Sequence, residues 1–383
     1  MALHTPVPPS VAGHINVLRD LTPRYWKQVS DMTVRNFLTY FNMRKWGSLT
    51  FNGGSHTQVW NARVKQPTVL PAIANQSLNF DNQDTDIQYY IGNKGYRATD
   101  YYPQEEFLMA RNAPEMVNNR YEQKTRDLAQ AMVEAVSQAF WKDGNVAANV
   151  NDFTGILTPL SYDATTCFVG DKVGLPNGTY AGQSMALGNL GGYWSANLAT
   201  PPNASLAKDW PFGQGSSEYD GTSPLIVNYG SSAWGTSSAL WKDNAVAATS
   251  FAQVAMLHRG GQSLMGAPPQ CVMASEMFVE LKDSFRINNR QVMPYRDGDL
   301  GFPGETLLVD GMVYSMDYAI PAANAFMYLP QYVESYFLHD DIYGAMGPEY
   351  SMERIGYLYY TYSFGNNKFS PKYLARFISD TTP

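Results

Sequence analysis

Residues 112–144 read NAPEMVNNRYEQKTRDLAQAMVEAVSQAFWKDG. Asn112 is a cap residue, Pro114 suits a first helical turn, and Glu115 sits where the helix dipole favours an acid, so a helix is expected to start here. Val117, Tyr121, Leu128, Met132, Val136 and Ala139/Phe140 then recur on one face, and Lys142-Asp143-Gly144 closes the pattern. The predicted helix, 113–143, has about 30 residues and spans roughly 45 Å. A usual globular helix has about 11–12 residues. No sustained heptad with charged flanks is present, so the segment reads as a spine crossing an extended fold rather than a coiled-coil strand. Its core positions are Val117, Leu128, Met132 and Val136.

Before the spine, HTQVWNARV (56–64) and DIQYYIGNKGYRA (86–98) are strand-like runs separated by about 20 residues holding Pro67 and Pro71. They describe a long hairpin whose tip carries Val69, Leu70, Ile73, Leu78 and Phe80. Such a tip has no place inside a compact domain; packing on a neighbouring molecule would bury it. Further upstream, the prolines from Pro6 to Ser10 exclude helix, whereas Val34, Phe37, Leu38, Phe41 and Trp46 recur at helical spacing in an arm that lies along another surface. Phe37, Phe41 and Trp46 are its expected contacts.

After the spine, residues 160–248 are rich in Gly, Ser, Asn and Trp without periodicity and read as strands and loops. AFWKD (139–143) returns as ALWKD (239–243), a match without flanking similarity that reads as chance. A helix is expected over 249–259, a buried strand at 271–274, and a helix over 276–285 capped by Ser275. Strands follow: a hairpin over 306–321 around Asp310-Gly311, then 326–329, 332–338, 357–364 and 373–378. The class is α+β.

The chain has 383 residues, 44% hydrophobic and 16% charged, which is enough to bury a real core. Its aromatic share of 14%, with 26 Tyr, fits either extensive contact between chains or Tyr-bearing strands. A net charge of −7 argues against a histone-like or repressor-like protein. Residues 1–46 nevertheless carry Arg19, Arg24, Lys27, Arg35, Arg44 and Lys45 against Asp20 and Asp31, a balance of +4 that leaves −11 on the remainder. Cys167 and Cys271 are the only cysteines, so no disulfide framework holds the chain and a reducing cytosol suits it. The first residues lack a signal-peptide pattern and no run of about 18 apolar residues occurs, so neither secretion nor membrane spanning is expected. The Asn-x-Ser/Thr triplets at Asn75, Asn177 and Asn203 then predict no glycosylation.

No constellation of catalytic residues stands out. The five His show no metal-ligand spacing, and His339-Asp340-Asp341 reads as a solvated loop. The segments Gly261-Gln-Ser263-Leu-Met-Gly266 and Gly230-Ser-Ser-Ala-Trp-Gly235 miss the nucleophile-elbow spacing by one residue, and no phosphate loop follows a strand. Glu105-Glu106 suits a helix start. The expectation is a protein without catalytic residues, cofactor or metal.

The order of these elements resembles the major capsid protein of tailed bacteriophages, a fold shared with encapsulins and herpesvirus shells. The resemblance runs through the arm (1–47), the extended loop hairpin (48–99), the spine ending at Trp141-Lys-Asp-Gly144 and the turn Phe153-Thr-Gly-Ile-Leu157 within a peripheral domain (100–164). A Gly/Ser-rich stretch (165–248) longer than the simplest members need reads as an insertion. The axial domain (249–345), a mixed sheet flanked by helices, shows the Gly260-Gly261 break, Pro268-Pro-Gln-Cys-Val-Met-Ala274, and a helix with Phe278 and Leu281. Return strands (346–383) follow it. The most family-like run is Leu300-Gly-Phe302, Leu307-Leu-Val-Asp-Gly311-Met-Val-Tyr-Ser-Met-Asp317, Ile320-Pro321 and Phe326-Met-Tyr-Leu329.

What this resemblance implies is a subunit that assembles into the pentamers and hexamers of an icosahedral head around double-stranded DNA held by weak nonspecific contact. It also implies a portal at one vertex, a virion location after assembly in the host bacterial cytoplasm, and room for a decoration protein. Many relatives clip off an N-terminal scaffolding segment; Met1 lies close to the arm here, so a separate scaffolding protein is expected. Some relatives weld their shells by an isopeptide bond between a hairpin Lys and a neighbour's Asn. Lys65 and a turn holding Asn366 and Asn367 are candidates, but no carboxylate is apparent to take the proton, and a non-covalent shell is expected. An encapsulin compartment loading an enzyme is the rival on the same fold. An outer-membrane barrel, which needs a signal peptide and has no such helix in its wall, and a glycan-binding β-protein are remoter.

Overall fold

The computed structural model describes residues 48–63, 85–105, 114–163, 167, 172–174, 176–185, 222–236, 238–258, 268–287, 293–294, 307–309 and 311–379. The arm positions Phe37, Phe41 and Trp46 and the tip positions Val69, Leu70, Ile73, Leu78 and Phe80 lie outside these residues, as does Lys65.

Strands β1 (Leu49–Thr50), β2 (Thr57–Arg63), β3 (Asp86–Gly92) and β4 (Lys94–Pro103) precede helix α1 (Pro114–Phe140). Then come β5 (Val173–Gly174), β6 (Thr179–Tyr180), β7 (Gln183–Ser184), β8 (Leu225–Asn228), helix α2 (Trp241–His258), β9 (Gln270–Met273) and helix α3 (Ser275–Ile287). The chain continues through β10 (Met293–Pro294), β11 (Leu307–Val309), β12 (Met312–Met316) and β13 (Ala325–Tyr328). It closes with β14 (Val333–Phe337), β15 (Gly344–Ser351), β16 (Gly356–Phe369) and β17 (Leu374–Ile378).

The predicted spine is present. It ends at Phe140 because the chain tightens, with Lys142 N–H donating to Ala139 O at 3.1 Å, and then folds back. Gly155 makes the return possible: a Cβ there would stand 2.2 Å from Lys142 O and 2.5 Å from Ala139 O. Ile156 N–H donates to Phe140 O at 2.7 Å, satisfying a carbonyl that the helix end leaves open. Met132 and Val136 are buried as expected. Leu128 is only half-buried, which corrects its assignment to the core. The buried stripe runs through Ala129, Met132, Val133, Val136, Ala139 and Phe140, so Ala129 rather than Leu128 continues it toward the start of the helix. Ala residues, weak in a hydrophobic pattern, mark its centre. The side chain of Val117 lies outside the described residues.

Two sheets share this helix. The first is five-stranded, in the order β1-β14-β16-β15 with β4 also on β16. The second is eight-stranded and mixed, β10-β11-β12-β9-β13-β17-β8-β5, with β12/β9 and β17/β8 parallel. Cys271, Met273, Tyr314, Met327 and Phe377 form one face of this second sheet and pack with α2 and α3. Val272, Phe326, Tyr328 and Leu374 form the other face, in one cluster with the end of α1.

Two expectations change. The helix placed at 249–259 starts at Trp241, whose indole Nε1–H donates to Met277 O at 3.0 Å and fixes α2 against α3. ALWKD therefore opens a helix where AFWKD closes one, and the two are unrelated. The stretch 165–248, read as an insertion, contributes β8 to the interior of the second sheet, paired Ala375↔Leu225 to Ile378↔Asn228. Three apolar residues among Gly and Ser are too short a run for periodicity to reveal.

Val136 is 0% exposed, so Val136→Asp strands a charge in the core and is expected to cost more than about 4 kcal/mol and yield insoluble chain. Leu128→Asp, at the stripe's margin, is expected to cost roughly 1 kcal/mol and remain soluble. Solubility and urea unfolding separate the two; a soluble, folded Val136→Asp monomer would mean that this face of α1 is not core.

Candidate assembly surfaces

The described part of the long hairpin pairs Thr57↔Gly92 through Arg63↔Asp86. Its strands alternate as a half-buried pair should: Ile87, Tyr89 and Ile91 turn inward, and Val59 faces Tyr90 directly on the outer side, both more than half exposed. The base of this hairpin is held from two sides. Inside, Trp60 stacks on Tyr89 with centroids 5.5 Å apart, and Tyr180 tilts against both. Tyr180 accepts the Phe369 N–H at 2.7 Å, and burial pushes its phenol far up, so it stays neutral. Lys368 reaches over the Trp60 ring at 5.3 Å while donating to Glu334 at 2.9 Å. Burial alone would lower its pKa, but the Glu334 hydrogen bond and charge outweigh this and raise it. Outside, the turn Ala181-Gly182 is a buttress. Ala181 O accepts Tyr90 N–H at 3.2 Å, and a Cβ on Gly182 would stand 2.2 Å from the Tyr90 ring.

Asn366 and Asn367 are not in a turn, which corrects that expectation. They lie in β16, almost fully buried, where Asn366 Oδ1 accepts Thr154 N–H at 2.7 Å and its Nδ2 donates to Gly92 O at 2.7 Å. Asn367 Nδ2 donates to Thr154 O at 3.0 Å and its Oδ1 accepts Ser335 Oγ–H at 2.6 Å. These amides staple the hairpin's root and the Phe153 turn to the first sheet.

His339 is likewise occupied rather than solvated. Phe364 N–H donates to Nε2 at 3.0 Å, so the proton sits on Nδ1, which donates to Asp341 O. Burial lowers its pKa despite the Asp341 contact. Cys271 is buried with its thiol pushed well up, and no group of three or more His, Cys, Asp or Glu side chains among the described residues could hold a metal.

Among the described residues two further apolar groups are open to solvent, and sequence reasoning missed both. Val254 and Leu257 of α2 lie one turn apart, with Val279 on the neighbouring α3. At the β15–β16 turn, Tyr350, Met352 (78% exposed) and Ile355 (61%) are open together, and Met346 is exposed farther back along β15. Single exposed apolar residues are ordinary; clusters of them mark contact surfaces.

No family profile matches the sequence, and no relative is found by sequence comparison. Solved structures do match. The capsid asymmetric unit of cyanophage A-1(L) superposes with a TM-score of 0.53 at 12% identity, covering 89% of this chain and 93% of that one. The chain has the fold of a phage capsid subunit. The capsid of a native GTA particle (TM-score 0.47, 12% identity, 88% and 90% covered) and a virus-like particle from Pyrococcus furiosus (0.37, 10%, 88% and 95%) also align.

Two outcomes follow. His339 has a folded-state pKa below its unfolded value near 6.5, so its contribution is complete above that value and is lost as pH falls through the folded pKa. Urea midpoints measured between about pH 7 and pH 5 should fall, and His339→Gln should flatten that dependence; an unchanged slope would remove His339 as its source. With both amides buried and bonded, no Asn of β16 is open to a Lys of another chain. Particles boiled in detergent should give one band near 42.7 kDa, and a ladder of larger sizes would show covalent joining.

Proposed function

We propose that this chain is the structural subunit of an icosahedral phage head, assembling with copies of itself into pentamers and hexamers around double-stranded DNA. The observation that carries the reading is the shared fold with the cyanophage A-1(L) capsid over nearly the full length of both chains. The surface supports it: an isolated monomer has no use for open apolar groups at the hairpin, on α2 and α3, and at the β15–β16 turn, whereas a subunit buries them against neighbours. A net charge of −7 keeps the shell from gripping DNA tightly during packaging, and the basic segment 1–46 complements acidic faces of adjacent copies or of a scaffold. In this reading a portal, a separate scaffolding protein and a decoration protein are further partners, the virion is the location, the host bacterial cytoplasm is the place of assembly, and no residue catalyses a reaction.

Expression of the full chain, alone and with its gene neighbours, followed by negative-stain microscopy, tests this. Icosahedral particles or sheets of hexamers are expected, and a chain that stays monomeric under both conditions would defeat the reading. Particles filled with an enzyme instead of DNA would favour a cellular compartment. Deleting residues 66–85, the hairpin tip, should leave the circular-dichroism spectrum folded and sedimentation monomeric, with shells lost; normal particles would show that the tip is not an intersubunit clamp.

A further inference from the structure

The seam between α1 and the second sheet holds more polar groups than its hydrogen bonds use. Ser137 Oγ, Trp141 Nε1, Gln270 Oε1, Ser315 Oγ and Tyr328 OH are all buried and make no hydrogen bond with the protein. They fall on two surfaces that face each other. Ser137 of α1 and Trp141, the residue just after its end, are four residues apart and lie to one side of the helix, with Glu134 one turn before. On the sheet, the registers Tyr328↔Gln270, Val313↔Gln270 and Ser315↔Val272 put Gln270, Ser315 and Tyr328 on the side of Val272 and Phe326. That is the side turned to α1.

One ring contact and one charge interaction show how the surfaces meet. Trp141 stacks on Phe326 with centroids 5.2 Å apart. Glu134 lies close enough to Tyr318 that its charge, after burial, pushes the phenol up. The helix stripe Glu134-Ser137-Trp141 therefore runs from the end of β12 toward β13, with Ser137 midway along it. Asp317, 4% exposed, brings a carboxylate to the same place; it accepts Ala319 N–H at 3.0 Å, and its charge joins burial in holding the Tyr328 phenol neutral.

We infer that ordered water fills this seam, linking Ser137, Trp141, Ser315 and Tyr328 to one another and to Asp317. Buried polar groups in folded proteins find partners almost without exception, and five orphans on two facing surfaces exceed what a dry contact tolerates. The chemistry suits water. The indole donates only, Gln270 Oε1 and Asp317 accept, and the hydroxyls do both. A buried water makes about three hydrogen bonds, so about two waters meet the demand. The joint between helix and sheet is then a hydrated one. This inference is independent of the assembly reading, since it concerns the unassembled chain.

The test uses Tyr328→Phe, Ser137→Ala and the double variant in the full-length, unassembled chain, read by thermal unfolding. If water bridges the hydroxyls, each single variant lowers the melting temperature and the double variant falls by less than the sum, because both changes disturb one network. In a dry seam, Tyr328→Phe removes an unsatisfied hydroxyl and raises the melting temperature, and that result, or simple additivity, would overturn the proposal. A high-resolution cryo-electron-microscopy map gives an independent reading: density peaks between Ser137 and Tyr328 are expected, and their absence from a map that resolves water elsewhere in the core counts against it.

Discussion

Phe140 and Trp141 leave the end of one helix and enter two different sheets. Phe140 packs edge-on against Phe369 of the first sheet, centroids 5.6 Å apart, and Trp141 stacks on Phe326 of the second. The two rings stand nearly perpendicular to each other, at 86°, so neither can shift without moving the other. The geometry requires the helix to stop there and the chain to return close beside it. Gly155 allows that return, and any larger residue would strike the carbonyls of Ala139 and Lys142. Interiors packed at crystal-like density transmit such constraints over distance.

From that fixed point the hairpin inherits its direction. Thr154, next to Gly155, is bonded through N–H and C=O to Asn366 and Asn367, and Asn366 in turn holds Gly92 at the hairpin's root. Polar side chains buried in the middle of a strand are costly unless every group is paired, and these are paired on both sides. The aromatic stack of Trp60, Tyr89 and Tyr180 adds a large area for few rotatable bonds.

How much of this was legible in the sequence follows from which signals are local. The helix of α1 declares itself by period and by Pro114, and strands such as β13 and β17 by dense apolar runs. On its inner face Leu128 stands in the pattern where Ala129 is the buried residue, because Ala packs closely without looking hydrophobic. Strand β8 stayed hidden, since four residues gain their meaning only from β17, which lies far along the chain. The roles of Asn366, Asn367 and His339 were misread for a related reason. Asn and His near Gly and Asp are turn-like by composition, and only the tertiary partners Thr154, Gly92 and Phe364 make them core groups.

Among the described residues the open apolar groups are small, a few side chains each, and scattered over the hairpin, α2 with α3, and the β15–β16 turn. As separate contacts none buries the area of a stable pairwise interface. A closed shell changes that balance, because each copy meets several neighbours at once and the second and later contacts form at high effective concentration. Weak individual contacts also let a misplaced copy leave before it is locked in. On the assembly reading, accuracy then rests less on any one contact than on the rigidity that sets their mutual angles. That rigidity is what the Phe140–Trp141 junction and the bonded asparagines supply.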